Sequence, residues 1–168
     1  MDKLWSPWRS KYIESFSSDS DKSKCIFCQM KDFDPIDQSN LLVDKGLYTF
    51  TVLNLYPYNN GHLMIVPFKH TGELSDLTQG EYSEIFENLK LAQLALKDVL
   101  KPHGFNIGAN IGRVAGAGIE EHIHFHIVPR WNGDTNFMPV LGEVKVISQD
   151  LLDTKNKLLN FYHKIERK

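Results

Sequence analysis

The chain has little cysteine: two residues in 168. That excludes a disulfide-stapled scaffold and leaves the pair open to metal or thiol chemistry. It also lacks any apolar run approaching the roughly 20 residues that span a bilayer. It has no large excess of either charge, the formal net charge being −2. Electrostatics therefore gives no ground for a nucleic-acid or membrane partner. The opening residues Met1 to Arg9 lack the apolar centre of a secretion signal, so a cytoplasmic location is expected. What remains is 42% hydrophobic and 24% charged residues, the balance of a soluble globular protein. With no internal repeat and no linker, residues 1–168 are expected to form a single domain.

The most informative stretch is Glu120-Glu121-His122-Ile123-His124-Phe125-His126-Ile127-Val128-Pro129-Arg130-Trp131. Histidines recur at every second position, with apolar residues between them. Period two is that of a β-strand, whose successive side chains point to opposite faces. The pattern predicts a strand with His122, His124 and His126 on one face and Ile123, Phe125 and Ile127 on a core face. At about 3.3 Å rise per residue, neighbouring histidines would sit roughly 6.6 Å apart. Near neutral pH imidazole serves as nucleophile, proton carrier or metal ligand, so this strand is expected to carry a chemical site.

Ahead of it, Phe105 to Ala109 reads as another strand. From Asn110 the chain turns small: Gly116-Ala117-Gly118-Ile119 follows Arg113. Small residues let backbone N–H groups approach an anion, so Asn110 and Gly116–Ile119 are candidate phosphate contacts. Arg113 and Arg130 can add positive charge. Upstream, Cys25-Ile26-Phe27-Cys28 forms a C-x-x-C pair with no thioredoxin-like βαβ pattern around it. A zinc site needs two further ligands, for which His70 and His122 are the candidates. Two small buried residues with no metal is the bland alternative.

Along the rest of the chain, Pro7 can open a short helix to about Ser15, and Ser17–Ser23 is polar. Two strands are expected around Lys45-Gly46, at Asn40–Asp44 and Leu47–Leu53, and a third at His62–Pro67 after the turn signal Asn60-Gly61. Thr78 and Glu81 make a capping box that opens a long helix. Tyr82, Ile85, Phe86, Leu89, Ala92, Leu96 and Val99 form its apolar stripe, and Lys101-Pro102-His103-Gly104 ends it. Trp131–Met138 reads as a polar, aromatic loop. A last helix is expected from about Ser148, with Leu151, Leu152, Leu158, Leu159, Tyr162 and Ile165 on one side. Hairpin strands with segregated helices indicate an α+β fold with an antiparallel sheet.

The segment His122-Ile-His124-Phe-His126-Ile-Val resembles the histidine-triad (HIT) nucleotide-binding family. The likeness extends over Cys25 to about Met138, roughly two thirds of the chain, and includes Asn54 with Gly61-His62-Leu63-Met64-Ile65-Val66-Pro67. Trp5-x-Pro7-Trp8-Arg9, Asn54-Leu55-Tyr56-Pro57-Tyr58 and Pro129-Arg130-Trp131-x-Gly133-Asp134-Thr135-Asn136-Phe137 resemble the branch of diadenosine tetraphosphate phosphorylase-like members, relatives of the diadenosine triphosphate hydrolases. The resemblance implies a five-stranded antiparallel sheet with one long helix and terminal helices. It divides the chain into an extension at 1–24, a core at 25–138 and a C-terminal helix at 148–168.

It further implies an enzyme that passes a nucleotidyl group through a covalent histidine. In that scheme His124 attacks the α-phosphorus, and His126 and the loop amides stabilise the phosphoryl oxygens. His122 orients the site, His62 flanks the phosphate and Asn54 binds the ribose hydroxyls. Cys25, Cys28, His70 and His122 would hold structural zinc, and magnesium can arrive with the substrate. The implied partners are adenine nucleotides, dinucleoside polyphosphates, inorganic phosphate and a second copy of the chain. Many hydrolytic members carry Gln, Ser or Thr just before the triad. Here Gly116–Ile119 offers no side-chain donor, which favours phosphorolysis over hydrolysis. Three alternatives stay open: a hydrolase that releases AMP from dinucleoside polyphosphates or nucleoside phosphoramidates, a nucleotide-binding module without turnover, and a catalytic metal on the triad.

Overall fold

The computed structural model describes residues 25–134 and 149–165. The helix expected from Pro7, the polar run 17–23, the end of the 131–138 loop and Ser148 lie outside the described residues. The elements are α1 (Ile26–Met30), β1 (Leu42–Lys45), β2 (Thr49–Leu53), β3 (Leu63–Pro67), α2 (Gln79–Leu100), β4 (Gly104–Ala109), β5 (Phe125–Arg130) and α3 (Leu151–Tyr162), with short 3-10 turns at Leu74–Asp76 and Arg113–Ala115. The strands form one antiparallel sheet in the order β1-β2-β3-β5-β4. This is the expected α+β architecture.

Alternation along the strands divides two cores. Leu53, Leu63, Ile65, Ile123 and Ile127 face α2 and α3 and pack with Ile85, Leu89, Leu96 and Leu158. Leu42, Phe50, Val52, Met64 and Val66 face the other way and pack with Phe27 of α1. Full burial of each such side chain contributes about 1.5–3 kcal/mol. The capping box forms as expected, with Thr78 accepting from the Glu81 N–H and Glu81 accepting from the Thr78 N–H. Lys101 ends the helix in the left-handed region, φ 50°.

Gly61 shows why a glycine stands in its turn. Its φ is +69°, and a Cβ there would lie 2.3 Å from Leu100 Cδ1 and 2.9 Å from Leu96 Cδ2. The turn thus lies directly against the end of α2, which leaves room for no side chain.

Several expectations are corrected. The first hairpin is shifted, with its turn at Gly46–Tyr48, because the Glu84 carboxylate of α2 accepts from the N–H groups of Leu47, Tyr48 and Thr49. Phe86 is 66% exposed and Leu152 is 40% exposed, so both lie outside the core. The apolar stripe of each helix is narrower than its sequence pattern. In α3 the buried face instead includes Lys155, whose ammonium donates to the carbonyls of Asp37 (2.6 Å) and Asn40 (2.8 Å).

Candidate active site

The expected histidine strand is only half a strand. Its ladder begins at Phe125, opposite Ile65 on β3 and Ala109 on β4. Continuing the β3 register would place Pro67 opposite Ile123, and proline has no N–H to donate. The Ile123 N–H turns to the Thr71 carbonyl instead (2.6 Å). His122 and His124 therefore precede β5. Side-chain alternation persists nonetheless: Ile123 and Ile127 enter the larger core, while His124 and His126 lie on the opposite face.

The hydrogen bonds locate the ring protons. His124 Nδ1 lies 2.8 Å from the His122 carbonyl, which can only accept. The proton is therefore on Nδ1, and Nε2 carries the lone pair. Burial lowers the His124 pKa, opposed by that same bond, so the ring is neutral near pH 7. A neutral imidazole with a defined lone pair is a competent nucleophile or base.

A second chain of bonds fixes His126. The Tyr58 N–H donates to His62 Nδ1 (3.0 Å), so that atom is the acceptor. The Asn54 amide also reaches it (3.3 Å), while Asn54 Oδ1 accepts from the Tyr56 N–H (2.9 Å). His62 therefore carries its proton on Nε2 and donates to His126 Nδ1 at 2.9 Å. His126 in turn presents Nε2–H as a donor. Its ring meets that of His124 edge-on, with centroids 4.9 Å apart. A lone pair on one ring thus stands beside a proton donor on the next. His62, His124, His126 and Asn54 are all buried, at 0%, 5%, 8% and 6% exposure.

The preceding loop is more tightly wound than expected. The Gly116 and Ala117 N–H groups donate within it, to Arg113 (2.9 Å) and Gly112 (3.3 Å) carbonyls. Asn110 donates to the Gly116 carbonyl (3.4 Å). Gly118 and Ile119 continue the run towards His122. Arg113 is exposed. Arg130 is drawn away by Asp134, its Nε and Nη2 donating at 2.6 and 2.8 Å, and by Asn106 (2.7 Å).

Cys25, Cys28, His70 and His122 converge, their ligand atoms all within 4.8 Å of one another. Cys25 Sγ and Cys28 Sγ lie 3.3 and 3.7 Å from His122 Nδ1. His70 Nδ1 lies 3.3 Å from both Cys28 Sγ and His122 Nδ1. A tetrahedral ion with N ligands at about 2.0–2.1 Å and S ligands at about 2.3 Å has edges of about 3.3–3.8 Å. The four residues fit such an ion. The Pro67 carbonyl accepts from His122 Nε2 (2.8 Å), which turns the Nδ1 lone pair into the cluster. Burial lowers the His122 pKa to about 4, which keeps it in the ligating, neutral form. All four cluster residues were candidates in the sequence, whereas Phe27, whose ring lies against His122 and His124, was not. Its place inside the C-x-x-C pair was the only signal.

A family model described as the HIT domain matches residues 37–133. The chain belongs to the HIT family. This HIT protein is 40% identical over 163 residues to AP-4-A phosphorylase of Mycobacterium tuberculosis (strain CDC 1551 / Oshkosh), covering 94% of the present chain and 83% of that protein. It is 38% identical over 88 residues to bis(5'-adenosyl)-triphosphatase of Saccharomyces cerevisiae (strain YJM789), covering 52% and 42% respectively. In fold it is similar to a Zn-bound histidine triad family protein from Mycobacterium smegmatis, with TM-score 0.67, 22% identity, and coverage of 86% and 96%. The HIT triad here is His122, His124 and His126, and the structure divides it: His122 turns to the cysteines and His70, while His124 and His126 turn to the buried histidine site.

Proposed function

We propose that this HIT protein transfers a nucleotidyl group from a dinucleoside polyphosphate to inorganic phosphate, converting diadenosine tetraphosphate and phosphate to ADP and ATP. The observation that carries this reading is the proton placement: Nε2 lone pair on His124, Nε2–H on His126. His124 Nε2 attacks the α-phosphorus of one adenylyl unit. The bond to the bridging oxygen breaks, and ATP leaves with the electron pair. His126 donates to the leaving or non-bridging oxygen, and the Gly118 and Ile119 amides face the phosphoryl group. As the His124 ring becomes cationic, its Nδ1–H bond to the His122 carbonyl strengthens. Phosphate then attacks the same phosphorus, the N–P bond breaks, and ADP departs with the neutral ring restored. Asn54 binds the ribose hydroxyls.

The 40% identity to AP-4-A phosphorylase supports this choice of substrate and acceptor. The reading includes structural zinc on Cys25, Cys28, His70 and His122, where the ion cross-links α1 to the approach to β5. It also includes magnesium entering with the substrate, a homodimer and a cytoplasmic location. Incubation of diadenosine tetraphosphate with labelled phosphate tests it. The expected result is label in ADP, with ATP as co-product and no turnover without phosphate. AMP formed in the absence of phosphate would make the protein a hydrolase. Tight AMP binding with no consumption of substrate would make it a binding module.

A further inference from the structure

One hydrogen bond on Nδ1 leaves an imidazole able to rock about that bond, because torsion about Cβ–Cγ is broad and soft. Two rings limit this motion for His124. His126 meets it edge-on, with planes at 74°. Phe27 lies across it, centroids 5.0 Å apart and planes at 52°. The same phenyl ring meets His122 edge-on at 5.4 Å and 73°, and rests against Phe50 at 6.4 Å. Phe27 is only 2% exposed, so its own place is set by burial. It projects from α1, a helix of five residues that is too short to persist without anchors.

We infer that Phe27 is a positioning residue for His124: its ring holds the imidazole so that Nε2 faces the incoming phosphorus. What Nε2 does rests on the function proposed above; where the ring is held does not. Phenylalanine suits the task. It is flat and rigid, and it offers no donor or acceptor to compete for the Nδ1 proton or the Nε2 lone pair. An aliphatic side chain fills similar volume without a flat wall. The residue acts through His124 and need not touch substrate.

Phe27→Leu and Phe27→Met, made in the full chain with its metal, test this. Thermal melting and metal content establish that each variant is folded and loaded. Turnover of diadenosine tetraphosphate with phosphate is then measured alongside long-range ¹H–¹⁵N spectra of the histidine rings at fixed pH. The expected result is a fall in kcat of about ten- to a hundredfold with KM little changed. The His124 ring signals, which in the unaltered protein mark a single Nδ1–H form, should shift or broaden into a mixture. A raised KM with unchanged kcat would place Phe27 against the nucleoside instead and overturn the inference, as would unchanged His124 signals. If the unaltered protein turns over no dinucleoside polyphosphate, the functional reading fails and the ring spectra alone decide the role of Phe27. In the unaltered protein a nuclear Overhauser contact between the Phe27 and His124 rings is expected. Its absence overturns the inference whatever the variants do.

Discussion

At the scale of single residues, the chemistry depends on where two protons sit. The His122 carbonyl assigns one to His124 Nδ1, and the Tyr58 N–H, relayed through His62, assigns the other to His126 Nε2. Both assignments originate in main-chain groups, which cannot change their donor or acceptor character. The alternation of histidines was legible in the sequence because period two is local. The relay was not, because His62 and His126 are 64 positions apart. Gly61 is a second residue with a single permitted identity. Gly61→Ala would force a left-handed alanine against Leu100 and Leu96. It should lower stability by about 1–3 kcal/mol, read from the urea midpoint. No change would mean that the turn relaxes without cost.

At the scale of elements, the ends of the long helix were the most legible. The Thr78–Glu81 box and the stop at Lys101 depend only on residues within one helical turn. The faces of the helices were less so, as Phe86 and Leu152 show, because two cores compete for the apolar residues and neither reaches that far round. Lys155 had no sequence signal at all. It is fully buried and ties α3 to carbonyls at Asp37 and Asn40, 118 and 115 positions away. Burial lowers its pKa, against the opposing charges of Asp37 and Asp34. Lys155→Met keeps most of the volume but removes the ammonium that donates to both carbonyls. It should cost about 2–3 kcal/mol in chemical denaturation, whereas a neutral effect would show the tether to be dispensable.

The end of β5 makes a pH-dependent prediction. Asp134 accepts from Arg130, from the Trp131 N–H and from Asn59. The Arg130 hydrogen bond, foremost, lowers its pKa to about 2. A carboxyl depressed in the folded state stabilises the fold above its unfolded pKa of about 3.9, and that contribution fades as pH falls through the folded value. Asp134→Asn should therefore be less stable than the unaltered protein at pH 5–7, with the gap closing towards pH 2. A gap independent of pH would show that the charge plays no part.

At the scale of the molecule, the sheet carries two sites back to back in sequence. His122 belongs to the Cys/His cluster that could hold a metal, and two residues later His124 belongs to the histidine pair. Cys25, Cys28 and His122 were legible from C-x-x-C and the triad, and His70 as the further histidine that a four-ligand site would need. Their convergence depends on Pro67 ending the β3 ladder, which frees the chain at His122 to turn towards the cysteines. Cys28→Ser should lose bound metal by elemental analysis and lower the melting temperature. It should also reduce turnover, because α1 carries Phe27 against His124. Metal loss with no change in melting temperature would detach the cluster from the fold.

The central claim, that His124 Nε2 is the nucleophile, is tested most directly by trapping the intermediate. The protein is mixed with diadenosine tetraphosphate without added phosphate, quenched in alkali, where a histidine N–P bond survives, and analysed by peptide mass spectrometry. One adenylyl group on the peptide containing His124 is predicted, and none in His124→Ala, whose turnover should fall about a thousandfold or more while nucleotide binding persists. An adduct on another residue, or full activity in His124→Ala, would contradict the account.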